Sequence, residues 1–216
     1  MTVLIAVSLV NGVVLTADKM NSGADENGQA TGVQASVEKV ATIRENIIIS
    51  TGGVSPLGWN VIQTLKSTLG VEDEMSISKT IEYIGNTMRF AHNLFKKTYP
   101  NFENPESFYF VGIYDPKNNK PYLYHLSDQN DFRAELIDTI GVAGPQASSI
   151  RDFIIGKFSS LKDINELPKL LASAIRTVNE PTVSKDTVTL LSLYGKEDKK
   201  FTCPKVEIDE HGNIIM

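Results

Sequence analysis

The chain has one cysteine, Cys203, and three histidines, His92, His125 and His211, in 216 residues. A single thiol excludes an internal disulfide framework and suits a reducing cytoplasm. The histidines are scattered, with no spacing that would ligate a metal, so no metal is expected. Positive charge is in deficit: 21 Lys and Arg against 26 Asp and Glu give a net charge of −5. That balance argues against a broad nucleic-acid surface. The apolar runs fall far short of a membrane span, and no basic segment precedes the N-terminal one, so neither a membrane anchor nor a secretory leader is expected. No linker or short-period repeat divides the chain, whose length suits one sizeable core rather than two. The expectation is a single cytoplasmic domain over residues 1–216.

What is present begins at the first residues. An apolar run of strand formers precedes Asn11-Gly12, the strongest short hairpin signal, and a second run follows it. Such a hairpin returns Asp18 toward Thr2. Thr2 follows Met1 directly and is small enough for an aminopeptidase to expose it. A threonine whose hydroxyl is activated by its own α-amine is a known nucleophile design. While Met1 is attached, the Thr2 nitrogen is an amide and cannot act as a base.

Residues 20–32 carry Gly23, Gly28 and Gly32 with little apolar content and read as a mobile loop. Val33 to Ile43 alternates as a short strand pair, leading to a buried strand over 46–51 that ends at Gly52-Gly53. Helices are predicted from about Ser55 to Leu69, with Trp59, Ile62, Leu65 and Leu69 on one face, and from a Ser76 or Ser78 cap to Tyr99-Pro100. In the second, Ile81, Ile84, Met88, Phe90 and Leu94 recur. Strands over 107–114, 122–126 and 133–140 follow. A helix opening at Gly144-Pro145 runs to about Phe158, and another from Ile164 to Val178. Strands at 187–193 and 200–203 and a hairpin turning at His211-Gly212 close the chain. Strand runs separated by helix pairs suggest two sheets packed face to face with helices outside, a four-layer α/β/β/α sandwich of the α+β class. Helices in pairs and strands in hairpins do not fit an alternating Rossmann pattern.

Five segments in this order carry a family resemblance: Thr2-Val-Leu-Ile-Ala-Val, Gly12-Val-Val-Leu-Thr-Ala-Asp18, Val37-Glu-Lys39-Val40, Ser50-Thr-Gly-Gly53 and Ile140-Gly-Val-Ala-Gly-Pro145. Together they resemble the proteasome β-type N-terminal nucleophile (Ntn) hydrolases, including the HslV-type peptidases of bacteria. Asp18 stands 16 residues after Thr2 (18 − 2), as the family pattern requires. The resemblance implies a threonine-type peptidase or amidohydrolase needing no metal or organic cofactor. Thr2, freed of Met1, would be the nucleophile and its amine the general base. Lys39 would favour the developing alkoxide, and Asp18 would pair with Lys39. Gly52 or Gly53 would supply the oxyanion N–H, with the Gly-Gly alignment leaning to Gly52. Ser184 would match a serine of the same network, and Asn21, Val37 and Val54 a small, mostly apolar substrate pocket. Family members assemble into rings, so a peptide or protein substrate, a homo-oligomeric ring and an ATPase regulator are the partners implied.

The sequence also departs from the pattern. The Asp18–Lys39 segment carries about five more residues than the family's, Met20 replaces a basic residue, and Val142 replaces a serine that supports the amine. The aspartate of that network is Glu180 or missing. Singly, each residue has an ordinary reading: Thr2 and Lys39 as strand residues, Asp18 as a turn residue, Gly52-Gly53 as a strand-to-helix turn. His92 and the Phe108-Tyr109-Phe110 run read as packing, and Cys203 as a strand residue without chemistry. A second function class therefore stands beside the hydrolase: a non-catalytic proteasome-fold scaffold or assembly subunit with a vestigial Thr2.

Overall fold

Leu9 lies opposite Gly12, and Leu4 opposite Ala17, across an antiparallel pair formed by β1 (Leu4–Leu9) and β2 (Gly12–Asp18). The tip of this hairpin is therefore Val10-Asn11, one residue earlier than the sequence signal suggests. Gly12 already belongs to the strand, where a Cβ would lie 2.4 Å from the Tyr194 ring and 2.6 Å from the Leu193 backbone oxygen. The glycine serves a close approach between neighbouring strands and not a left-handed turn.

The computed structural model describes residues 2–24, 30–69, 75–102, 104–195 and 201–215, without the side chains of residues 21–36 and 201. In chain order the further elements are β3 (Met20–Ala24), β4 (Ala30–Ser36), β5 (Val40–Arg44), β6 (Ile47–Gly53), α1 (Ser55–Leu69) and α2 (Ile77–Thr98). Then come β7 (Ser107–Asp115), β8 (Lys120–Ser127), β9 (Glu135–Leu136), β10 (Ile140–Ala143) and α3 (Ala147–Phe158). The last are α4 (Leu167–Arg176), β11 (Val188–Gly195), β12 (Phe201–Thr202) and β13 (Lys205–Ile208). One antiparallel sheet runs β10-β1-β2-β11-β12, with β13 also on β11, and a second runs β5-β6-β7-β8-β9. The described residues thus form a mixed α+β fold with two antiparallel sheets, four helices and a separate β3-β4 ribbon. No helix among the described residues is long and apolar enough to cross a membrane.

Successive residues of β1 point to opposite faces, as a strand's period of two requires. Ile5 packs with Ile150 and Ile154 of α3 and Leu171 and Ile175 of α4. Its neighbours Leu4 and Ala6 join Leu15 and Leu193 with Ile48, Phe110 and Leu123 of the second sheet. A third cluster sets Ile49, Tyr109 and Val111 against Val61, Ile62, Leu65, Ile84 and Met88 of α1 and α2. Each large side chain so buried contributes about 1.5–3 kcal/mol relative to exposure.

Several expectations are corrected. Of residues 20–32, expected as loop, Met20–Ala24 forms a strand and 30–32 open another, and Met20–Ala24 pairs with Ala30–Ser36 as a ribbon whose register shifts between Ser22 and Ala24; residues 25–29 of that stretch lie outside the described residues. The strand expected over 133–140 is two: β9 pairs with β8, and β10 crosses to β1 in the other sheet. Pro145 precedes the helix, because Gln146 at its N-cap is left-handed (φ 56°) and α3 begins at Ala147. The helix expected from Ile164 opens as a single 3-10 turn before α4. On α2, Ile81, Ile84, Met88 and His92 face inward, with Ser76 rather than Ser78 as cap. Phe90 sits about 200° around the helix from Met88; it is 70% exposed, and Leu94 53%. Trp59 is also turned outward, 54% exposed, at the rim of a cavity described below.

Candidate active site

The register of β1 on β2 carries Val3 to the end of β2, where its N–H donates to Asp18 Oδ1 at 3.0 Å. The Asp18 side chain is fully buried and collects three more donors on Oδ2. These are the Lys39 ammonium at 3.0 Å, the Met20 N–H at 3.2 Å and the Ser184 N–H at 3.4 Å. A buried carboxylate is tolerable only when its lone pairs are satisfied and its charge is paired. Both conditions hold here. Asp18 thereby ties together the start of β1, the entry to β3, the segment before β5 and the segment before β11.

Lys39 is 4% exposed and donates to the Met20 carbonyl as well as to Asp18. Burial pushes its pKa down; the Asp18 charge and hydrogen bond oppose that shift without cancelling it. The result is a lysine held as a cation by one carboxylate yet easier to deprotonate than an ordinary one. Its backbone is fixed too, since the Thr51 N–H donates to the Lys39 carbonyl at 2.8 Å. Next to it, Glu38 pairs with Lys205 of β13, and Lys19 pairs with Glu207 of β13 at 2.8 Å.

Thr2 is 5% exposed and lies on the walls of two cavities. The first, about 280 Å³, is lined by Lys39, Val37, Thr51, Gly52, Gly53 and Trp59 among others. The second, about 450 Å³, shares only Thr2 and Gly53 with it and extends between the end of β8 and the stretch from Val142 to Pro145. Gly144 permits the latter approach: with φ +108°, a Cβ there would sit 2.0 Å from the Thr2 carbonyl oxygen. Gly53 is similarly constrained, at φ +89° with a would-be Cβ 2.0 Å from the Glu106 oxygen. At Gly52 the obstacle is the Phe108 ring, 2.2 Å away.

The structure thus brings together Thr2, Lys39, Gly52, Gly53 and Val37 on one cavity, with Asp18 behind Lys39. Ser184 joins through its backbone; its hydroxyl accepts the Asp186 N–H at 3.3 Å instead. Glu180 makes no bond to Asp18, and accepts a hydrogen bond from the Thr182 hydroxyl. Val54 does not line the cavity and packs against the α1–α2 core. The side chain of Asn21, and Met1, lie outside the described residues. Thr51, Ser55, Pro56 and Trp59 line the cavity and were missed from sequence. Alternation along β6 places Thr51 two residues from Gly53, a signal that could have found it.

Behind Gly53, Ser107 is its partner across β6 and β7, and its N–H donates to Asp128 Oδ1 at 2.9 Å. The Ser107 hydroxyl meets His92 Nδ1 at 3.2 Å. Burial lowers the His92 pKa, with Asp128 opposing and Lys96 assisting. Cys203 sits half-buried with its thiol toward the Glu45 carbonyl, and its pKa is raised by burial. No group of His, Cys, Asp or Glu among the described residues could hold a metal ion. No protein-family model matches the chain, and no curated protein matches it.

Proposed function

We propose that this chain is a threonine-type N-terminal nucleophile hydrolase of amide bonds, active once Met1 is removed, on a four-layer proteasome-type fold. The observation that carries the proposal is that Thr2 faces the same cavity as a lysine whose ammonium is buried against Asp18. A charge so desolvated needs a purpose that outweighs the burial penalty, and stabilising an alkoxide on the neighbouring hydroxyl is one.

In the reaction, the Thr2 Oγ attacks the scissile carbonyl carbon. The freed α-amine, through a water, takes the hydroxyl proton and later gives it to the leaving amine. The C–N bond breaks, an ester to Thr2 remains, and a water hydrolyses it to the acid and free Thr2. Lys39 stabilises negative charge on the Thr2 oxygen. The oxyanion donor is Gly53 in preference to Gly52. Along a strand, N–H directions alternate between the two edges. Thr51 donates toward Lys39 and Val54 toward Glu106, so the Gly53 N–H falls on the Lys39 edge. The lean toward Gly52 from alignment is revised on that ground.

The specificity pocket on this reading is the 280 Å³ cavity, which keeps Val37 in its lining and has Thr51, Ser55 and Trp59 in place of Val54. It accepts a peptide or protein segment with a small apolar group. No cofactor enters the scheme. Assembly into a homo-oligomeric ring, an ATPase regulator and a cytoplasmic setting belong to the same proposal. The test is hydrolysis of a peptidyl aminocoumarin amide by Met1-free protein: the parent turns over, and Thr2→Ala does not.

A non-catalytic scaffold is the second reading. It is favoured by Val142, which lines the second cavity beside Thr2 where the family carries a serine, and by Ser184 using only its backbone toward Asp18. An intact Lys39–Asp18 pair with no turnover in the Met1-free protein would establish it.

A further inference from the structure

The two cavities that meet at Thr2 differ in chemistry. The first is walled by Val37, Pro56 and Trp59 around Lys39, and its one carboxylate residue among those described, Glu38, is paired with Lys205. The second is lined by Glu106 and Asp128, with Gln129, His125 and Ser127 beside them and, among the described residues, no lysine or arginine. Asp128 is anchored: one of its oxygens accepts the Ser107 N–H at 2.9 Å, on the strand opposite Gly53. Glu106 stands one residue before Ser107, and its carbonyl accepts the Val54 N–H at 2.9 Å. The Asp128 carboxylate is therefore held by the strand that pairs with Gly53, whereas Glu106 is fixed there through its backbone and its side chain is exposed.

An amide substrate acylating Thr2 extends in two directions from its scissile bond. The acyl part occupies the cavity of Lys39 and Val37, where the carbonyl oxygen meets the Gly53 N–H. The amine part must then leave past Gly53 and Gly144, into the larger cavity. We infer that this cavity is a binding subsite for the leaving-amine side of the substrate, and that Glu106 and Asp128 select a basic side chain at the first residue after the scissile bond. The inference rests on the hydrolase reading of Thr2 and adds which side of the substrate carries positive charge. Its volume of about 450 Å³ is ample for a lysine or arginine, within the ordinary range of ligand cavities of about 300–1,000 Å³. A carboxylate pair at a rim acts over about one Debye length, so the preference must weaken with salt.

The experiment uses Met1-free protein and peptides with one acyl sequence, ending in a small apolar residue, followed by lysine, by its neutral isostere norleucine, or by glutamate. An aminocoumarin amide of the same acyl sequence reports Thr2 activity without any residue in the second cavity. The expected result is a kcat/KM for lysine about five- to tenfold above norleucine at low salt, with glutamate lowest. In the Glu106→Gln/Asp128→Asn double variant the lysine-to-norleucine ratio falls to about one; asparagine keeps the acceptor for the Ser107 N–H. Equal cleavage of the lysine and norleucine peptides by the parent overturns the inference, as does a ratio that survives in the double variant. Should that variant fail to fold, the parent's ratio and its decline at high salt decide the matter. Hydrolysis of the aminocoumarin amide without lysine preference leaves the hydrolase reading standing and removes only this inference. No hydrolysis of any substrate removes both.

Discussion

The Lys39 ammonium and the Asp18 carboxylate lie 3.0 Å apart with 4% and 0% of their side chains exposed. The pair joins segments 21 residues apart in sequence and places a cation on the cavity wall that Thr2 shares. Breaking such a pair from one side leaves a buried charge without compensation. Asp18→Asn is expected to lower stability by about 3–5 kcal/mol, read from urea denaturation with unchanged slope. A loss below about 1 kcal/mol would mean that water reaches Lys39 and that the pair is no organising feature. Lys39→Met removes the charge instead; its expected signature is a loss in kcat of about 10²–10³-fold.

The pH dependence of kcat/KM should be a bell. Its rising limb follows deprotonation of the Thr2 α-amine, whose ordinary range is about 7.7–8.0. Its falling limb follows Lys39, which helps only while charged. Burial holds the Lys39 pKa below its ordinary 10.5, so the help is present below that lowered value and vanishes as pH rises through it. The alkaline limb therefore begins earlier than a solvated lysine allows. For stability the sign is opposite. Between the lowered and the ordinary value the unfolded chain binds more protons, so the folded state gains stability as pH rises through that window. A profile flat to beyond the ordinary lysine range would remove Lys39 from the mechanism.

Gly53 and Gly52 differ in what a methyl group would meet. Gly53→Ala must adopt φ +89° with its Cβ against a backbone oxygen, whereas Gly52→Ala meets only the edge of the Phe108 ring. The first is expected to lose about 1–3 kcal/mol from backbone strain alone and to displace the proposed oxyanion donor. Thermal denaturation and kcat of the two variants should separate, Gly53→Ala being worse on both. Equal effects would return the assignment to Gly52.

Trp59 is the only tryptophan in the chain and lines the cavity proposed as the specificity pocket. Its emission should shift when a peptide aldehyde with a small apolar end group binds, and Trp59→Ala should raise KM. Because Trp59 is 54% exposed, the same variant should change stability by no more than about 0.5 kcal/mol. An unchanged spectrum at saturating inhibitor would place the acyl group elsewhere.

What was legible in the sequence was local. Apolar runs of strand formers bounded by turn residues located β1, β2, β6 and β7, and helical periodicity located α1 and α2 with bounds close to those observed. The return of Asp18 toward Thr2 followed from hairpin geometry even though the turn sits one residue earlier. Long-range partition was not legible. Nothing in residues 133–140 announces that β9 and β10 belong to different sheets, because each has only a few residues and pairing decides their fate. Phe90 and Leu94 look like core residues until the helix phase set by Met88 turns them outward. The Glu106 and Asp128 cavity was invisible for the same reason, its walls coming from β8, β10 and the segment before β7. Asp18 and Lys39, by contrast, could be singled out only as part of a recurring pattern, since neither residue type signals burial.

The most direct test of the central claim is intact-protein and peptide mass spectrometry of the chain after exposure to a β-lactone acylating probe. The account predicts loss of Met1 and a single adduct on Thr2, absent in Thr2→Ala and slowed in Lys39→Met. Protein with a free Thr2 amine that acquires no adduct, while Lys39 and Asp18 are intact, would contradict it.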